Sequence, residues 1–181
     1  MKRKNNLINF LAIFACVLCL VSTATAQKRR TTTKRTRPAT TETSATTGSN
    51  AAEIRDGAEK VATQIKNLSK FIFVLGGVAS GIEDIDKEAQ AGRVSRAGID
   101  KNTQLKQSVI ASIRNLRAGI AALEGDFHVK PSLRNYLNQI QGVSEICGVA
   151  EDQAAAGQFT ESGKTLLQVI EKLSDTLAAM R

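Results

Sequence analysis

The chain of 181 residues carries a formal charge of +8, and only 4% of its residues are aromatic, with no tryptophan and one histidine. That length suits a single domain with its own core, and one histidine cannot furnish the paired Glu-x-x-His elements of a dinuclear metal bundle. The basic excess invites a nucleic-acid reading, so the position of the charge along the chain decides whether that reading stands.

Met1 is followed by Lys2, Arg3 and Lys4, then by an apolar run from Leu7 to Val21 broken only by Asn9, then by Ser22-Thr23-Ala24-Thr25-Ala26. A basic start, a short apolar middle and an Ala-x-Ala end form the pattern of a secretory signal cleaved after Ala26. The alternative, an uncleaved anchor, needs a run of roughly 20 apolar residues. Residues 1–26 are therefore read as a signal peptide, and the mature chain as periplasmic or extracellular, beginning at Gln27. Cys16 and Cys19 leave with the signal. Cys147 remains alone, so no internal disulfide forms and the core must supply the stability.

Residues 27–50 differ in character. Lys28, Arg29, Arg30, Lys34, Arg35 and Arg37 precede Pro38 and a Thr-rich tract, and nothing here builds a core, which predicts a disordered tether. Removing the charges of signal and tether leaves 16 basic and 16 acidic residues beyond residue 50, so the remaining domain is neutral. It offers no basic face for specific nucleic-acid binding. The 28–37 cluster is suited only to nonspecific contact with an anionic polymer or a membrane surface.

From Ala51 to Arg181 the sequence predicts one all-α domain, an antiparallel bundle of about four helices with a long first helix. Ile54, Ala58, Val61, Ile65, Leu68, Ile72, Leu75, Ala79 and Ile82 alternate four- and three-residue steps, the spacing of a coiled-coil-like seam. Continuous to about Gln90, this helix is close to 60 Å long. Its middle, Phe71 to Ala79, is apolar on every side. That girdle predicts burial of Phe71, Phe73, Val74 and Val78 within the bundle, or else a surface for a protein partner or for self-association. Gly76 and Gly77 mark the weak point.

A second helix places Leu105, Val109, Ile113, Leu116, Ile120 and Leu123 on one stripe, with Asp100 or Asn102 as cap and Gly125 as stop. Asp126 to Lys130 form a connection. Pro131 then opens a third helix with Leu133, Leu137, Ile140, Val143 or Ser144, Cys147 and Ala150 in phase, ending at Gly157. Cys147 on this stripe reads as a buried small apolar residue, ahead of an intermolecular disulfide. A fourth helix, capped by Thr160, carries Leu166, Ile170, Leu173, Leu177 and Met180.

Candidate chemistry is sparse. Gly163-Lys164-Thr165 lacks the glycine that a phosphate loop requires five places earlier, where Gln158 stands, and no strand precedes it. Glu83, Asp84, Asp86 and Glu88 open like a calcium loop, but Ala89 replaces its glycine and Ser95 its glutamate. His128, Asp126 and Ser132 share a turn, and three polar residues beside a proline are ordinary turn chemistry. The sequence therefore predicts no catalytic, cofactor-binding or metal-binding residues and no cofactor. The leading expectation is an exported, non-enzymatic structural or protein-interaction module of the cell envelope. The second is a carrier of apolar ligands or lipid with a cavity between helices around Phe71 to Val78. A hydrolase using His128 comes third.

Overall fold

A computed structural model describes residues 42–181 of the chain, with side chains from residue 48 onward. The signal peptide and residues 27–41 of the tether lie outside the described residues. The fold is all-α, with no strand among the described residues. Helix α1 spans Glu42–Gln90, α2 Arg96–Val129, α3 Leu137–Ile140, α4 Val143–Ala155 and α5 Phe159–Ala179, and a 3-10 helix covers Pro131–Tyr136 between α2 and α3.

The seam of α1 faces the core as its spacing dictates. Val61, Leu68, Leu75, Ala79 and Ile82 are buried, while Ile54, Ala58, Ile65 and Ile72 flank them half-buried. The helix begins at Glu42, inside the segment that composition assigns to the tether. Extending an existing helix adds one hydrogen bond per residue fixed and avoids the cost of a new nucleus, so a Ser/Thr/Ala stretch can follow the strong helix C-terminal to it. It continues unbroken through Gly76 and Gly77, neither of which has a positive φ.

Both boundaries of α2 depart from the sequence reading, each for a local reason. Helix α2 starts earlier than expected because Ser95, extended at φ −67° and ψ 153°, caps it by accepting the Gly98 amide at 3.3 Å. Asn102, expected at the helix end, is buried inside it. The helix also runs past Gly125, which keeps Asp126 to Val129 helical and buries Phe127 completely. Pro131 ends it instead, since the residue before a proline is held out of the α region, and Lys130 sits at φ −81° and ψ 118°.

The third predicted helix is broken in two places. The stretch after Pro131 winds as a 3-10 helix, with the Leu133 amide donating to Lys130 O at 3.1 Å. Gly142, at φ +83°, then reverses the chain between α3 and α4 in a conformation that L side chains avoid. The apolar stripe survives both breaks: Leu133, Ile140, Val143, Cys147, Ala150 and Ala154 are all buried.

Each long helix lies beside two others, α1 against α2 and α5, and α4 against α2 and α5. Polar pairs along these seams fix the directions. Lys60 meets Asp126 while Asp86 meets Asn102, so α1 and α2 run antiparallel. Arg114 meets Glu151 while Glu124 meets Ser144, which makes α2 and α4 antiparallel. Gly163 lies against Leu75 and Gly57 against Met180, so α5 returns antiparallel to α1.

The closed ring encloses Leu68, Leu75, Ile82, Ile113, Ile120, Phe127, Leu133, Ile140, Phe159, Leu166 and Leu173, every one of them at most 2% exposed. Each such side chain contributes roughly 1.5–3 kcal/mol before entropy is subtracted. The buried polar side chains in this core are hydrogen-bonded, with Asn102 Oδ1 the one buried side-chain atom left without a partner among the described residues. Ser162 donates to Ala150 O at 2.7 Å and Thr176 to Lys172 O at 2.8 Å. Asn102 Nδ2 donates to Ile82 O at 3.2 Å and Asp86 Oδ1 at 2.9 Å, tying α2 to α1 near their linking turn.

Candidate functional site

The groups with catalytic potential do not converge. Asp126 forms an ion pair with Lys60 at 2.6 Å, Ser132 donates a hydrogen bond to Glu53, and His128 lies exposed in the last turn of α2. The three share a neighbourhood but form no relay. Gly163-Lys164-Thr165 lies within α5, where Lys164 pairs with Glu161 at 2.7 Å and Thr165 donates to Gln153 at 2.7 Å. The acidic group of α1 is dispersed. Glu83 accepts the Thr160 amide at 2.9 Å, Asp84 pairs with Lys87 at 3.7 Å, and Asp86 pairs with Lys106 at 2.5 Å. Among the described residues no group of three or more His, Cys, Asp or Glu is arranged to hold a metal ion.

Electrostatics tighten the outside of the bundle. Asp56, Lys60, Asp126 and Lys130 form a surface network joining α1 to the end of α2. The Lys130 ammonium beside Asp56 and the Lys60 ammonium beside Asp126 hold both carboxyls below the usual range. Asp126 in turn holds Lys60 above its ordinary value. Glu151 is lowered chiefly by its hydrogen bond from Arg114, with Arg117 adding to it. Surface pairs of this kind contribute little individually.

One large apolar side chain of α1 is not accounted for by the bundle. Phe73 is 85% exposed, against the expectation that the girdle is buried; Phe71, Val74 and Val78 are half-buried. The helical period explains the difference. Leu75 and Ile82 face the core, and a residue two positions from Leu75 lies on the far side of the helix. The signal was present in the sequence, because Phe73 is out of phase with the seam.

Gly77 lies four residues on from Phe73, and Gly81 four further, so the three share the outward side. A Cβ added at Gly76, Gly77 or Gly81 would meet nothing within 4 Å. Other glycines do make room for the fold: a Cβ at Gly57 would stand 2.8 Å from Leu133 Cδ2, and one at Gly148 would stand 3.2 Å from Arg117 Cζ. Glycine costs about 1 kcal/mol against alanine within a helix. Three of them between positions 76 and 81 weaken α1 without serving packing inside the bundle.

Comparison with known proteins adds no relative: no family model, curated protein or solved structure matches this chain. The outward face of α1 is therefore the candidate site on geometry alone. Lys66 and Lys70 lie on it ahead of Phe73, and Asp84 and Glu88 beyond Gly81, all four exposed. No helix among the described residues is long and apolar enough to cross a membrane.

Proposed function

We propose that the protein is an exported, non-catalytic bundle that acts by contact in the cell envelope, with the outward face of α1 as its contact surface. The observation that carries this reading is the juxtaposition of Phe73, the most exposed large apolar side chain among the described residues, with Gly76, Gly77 and Gly81, whose missing side chains nothing in the bundle requires. Small residues on a helix let another backbone approach closely, and an aromatic beside them supplies a large apolar contact at low entropic cost. The signal pattern of residues 1–26 supports export, and the basic 28–37 segment supports a weak, salt-sensitive attraction to anionic surfaces. The carrier reading gains nothing from Phe73, which points away from the space between the helices.

The test is to express the full chain in an exporting host and purify the processed protein. Intact mass gives the first residue, with Gln27 expected, and light scattering gives the mass of the assembly. Retention of residues 1–26 would remove the export reading. An unchanged assembly after Phe73→Lys would remove the contact surface.

A further inference from the structure

The charges that flank Phe73 and Gly77 on the outward face of α1 are segregated, with the exposed Glu59 lying beyond Lys66 on the same face. Lys66 and Lys70 stand on the N-terminal side of Phe73 and Gly77, and Asp84 and Glu88 on the C-terminal side, all exposed. A second copy laid parallel and in register would set lysine against lysine and acid against acid. Such like-charge contacts are what charged flanks of paired helices are arranged to avoid.

An antiparallel copy centred on Gly77 reverses every one of these contacts. Positions then pair symmetrically about residue 77: Lys70 faces Asp84 of the second copy, Lys66 faces its Glu88, and Phe73 comes to rest over its Gly81. Gly77 faces itself on the two-fold axis, where the backbones approach most closely, and a Cβ there would otherwise project into the contact. Lys87, paired with Asp84 at 3.7 Å in its own chain, falls opposite Asn67 rather than another cation.

Neighbouring registers are poorer. Sliding one heptad in one direction sets Phe73 against Glu88, and in the other sets Glu88 against Glu59. A four-residue slip in one direction keeps Phe73 over Gly77 but pairs only Lys66 with an acid, leaving Lys70 opposite Ser80; in the other direction only Lys70 meets an acid, Glu88, and Phe73 leaves the glycines for Ile85. We infer that a second copy of this chain docks antiparallel on this face, with Gly77 on the two-fold axis and Lys70 set against Asp84 of that copy. The inference rests on the contact reading above and adds the occupant, its direction and its register. The interface is isologous and closes on itself, so assembly stops at the dimer.

The test uses the processed full chain in sedimentation equilibrium over a wide concentration range. Lys70→Glu sets an introduced acid opposite Asp84 twice per dimer, and Asp84→Lys sets an introduced cation opposite Lys70 twice, so each variant alone is expected to dimerise at least about tenfold more weakly. Both positions are exposed, and circular dichroism checks that each variant keeps its helix content. Mixed in equal amounts, the two variants restore both opposite-charge contacts in the heterodimer, and association is expected to return to within about threefold of the unmodified protein. A wild-type dimer whose association neither variant weakens, or whose variants do no better mixed than apart, overturns the antiparallel register. The contact surface itself then stands or falls by whether Phe73→Lys dissociates that dimer. A strict monomer up to the solubility limit overturns the second copy as occupant.

Discussion

Glu83, in the last third of α1, accepts the backbone amide of Thr160 in the first turn of α5 at 2.9 Å. The N-cap residue of α5, Gln158, makes no side-chain cap bond, so a carboxylate from another helix meets one of the four amides that every helix start leaves without a partner. Its negative charge also complements the positive end of the helix dipole. Glu83→Ala is expected to lower stability by about 0.5–2 kcal/mol, the range for loss of a cap. Thr160→Ala, which removes a hydroxyl that caps nothing, is expected to change it by less than about 0.5 kcal/mol. Urea unfolding midpoints of the two variants check this, and equal losses would return the cap to Thr160.

The glycines divide into two groups with opposite expected signs. Alanine at Gly76 or Gly77 meets open space and recovers helix propensity, so each change is expected to stabilise the isolated chain by about 0.5–1 kcal/mol. Alanine at Gly57 meets Leu133 Cδ2 at 2.8 Å and Met180 Cε at 3.1 Å. Its propensity gain is offset by repacking, and Gly57→Leu is expected to cost about 1–3 kcal/mol or more through overpacking. Thermal unfolding at low protein concentration, where association is negligible, compares the four variants.

Local periodicity made the helices and most of the core legible in the sequence, because each stripe repeats at the helical period. Val61, Leu68, Val109, Ile113, Cys147, Leu166 and Leu173 are buried where that period puts them. The missed helix-start partners of α4 and α5 share one cause, which is that they depend on residues far apart in the chain, whereas the missed start and end of α2 were local. Thr160 is a good cap by residue type, yet Glu83 takes its amide from 77 positions away. Glu124 likewise accepts the Ser144 amide at the start of α4 at 3.1 Å, and no short window of sequence contains both. Gly125 resembles a stop, but burying Phe127 against the rest of the core outweighs it, and Pro131 sets the end by a steric rule that the sequence did display. The contact face was half legible. Phe73 and the glycines were visible as a cluster, but a girdle apolar on all sides does not disclose which side the bundle covers.

The ion-pair network predicts how stability changes with pH. Asp56, Asp126 and Glu151 have folded-state values below their ordinary ones. Their stabilisation is fully present above the unfolded carboxyl values near about 4 and is lost as pH falls through the folded values. Lys60 is shifted the other way, so its stabilisation is present below the unfolded lysine value near about 10.4 and is lost as pH rises beyond it. Unfolding midpoints are therefore expected to form a plateau between about pH 5 and 8 and to decline on either side. Lys60→Met should flatten the acid limb, because Asp126 loses its first partner and Asp56 a secondary one. An acid limb unchanged in that variant would mean that other carboxylates set it.

Cys147 lies at 0% exposure between α2 and α5, and burial pushes its thiol up to about 12, with the Arg117 guanidinium pulling the other way. The thiolate is the nucleophile, so the folded protein at pH 8 is expected to resist a disulfide reagent that titrates the same thiol promptly in denaturant. The rate of modification then reports opening of the bundle, and it should rise in Glu83→Ala in proportion to the stability lost if opening is global. The same shift gives a signed effect on stability. A thiol whose folded value lies above its unfolded value near about 8.5 favours the folded state below that value and loses this contribution as pH climbs toward 12. Cys147→Ala is thus expected to unfold with a weaker alkaline decline than the parent, while costing stability at neutral pH through the lost sulfur volume. Rapid modification of the native protein, at the rate of an exposed thiol, would place Cys147 outside the core.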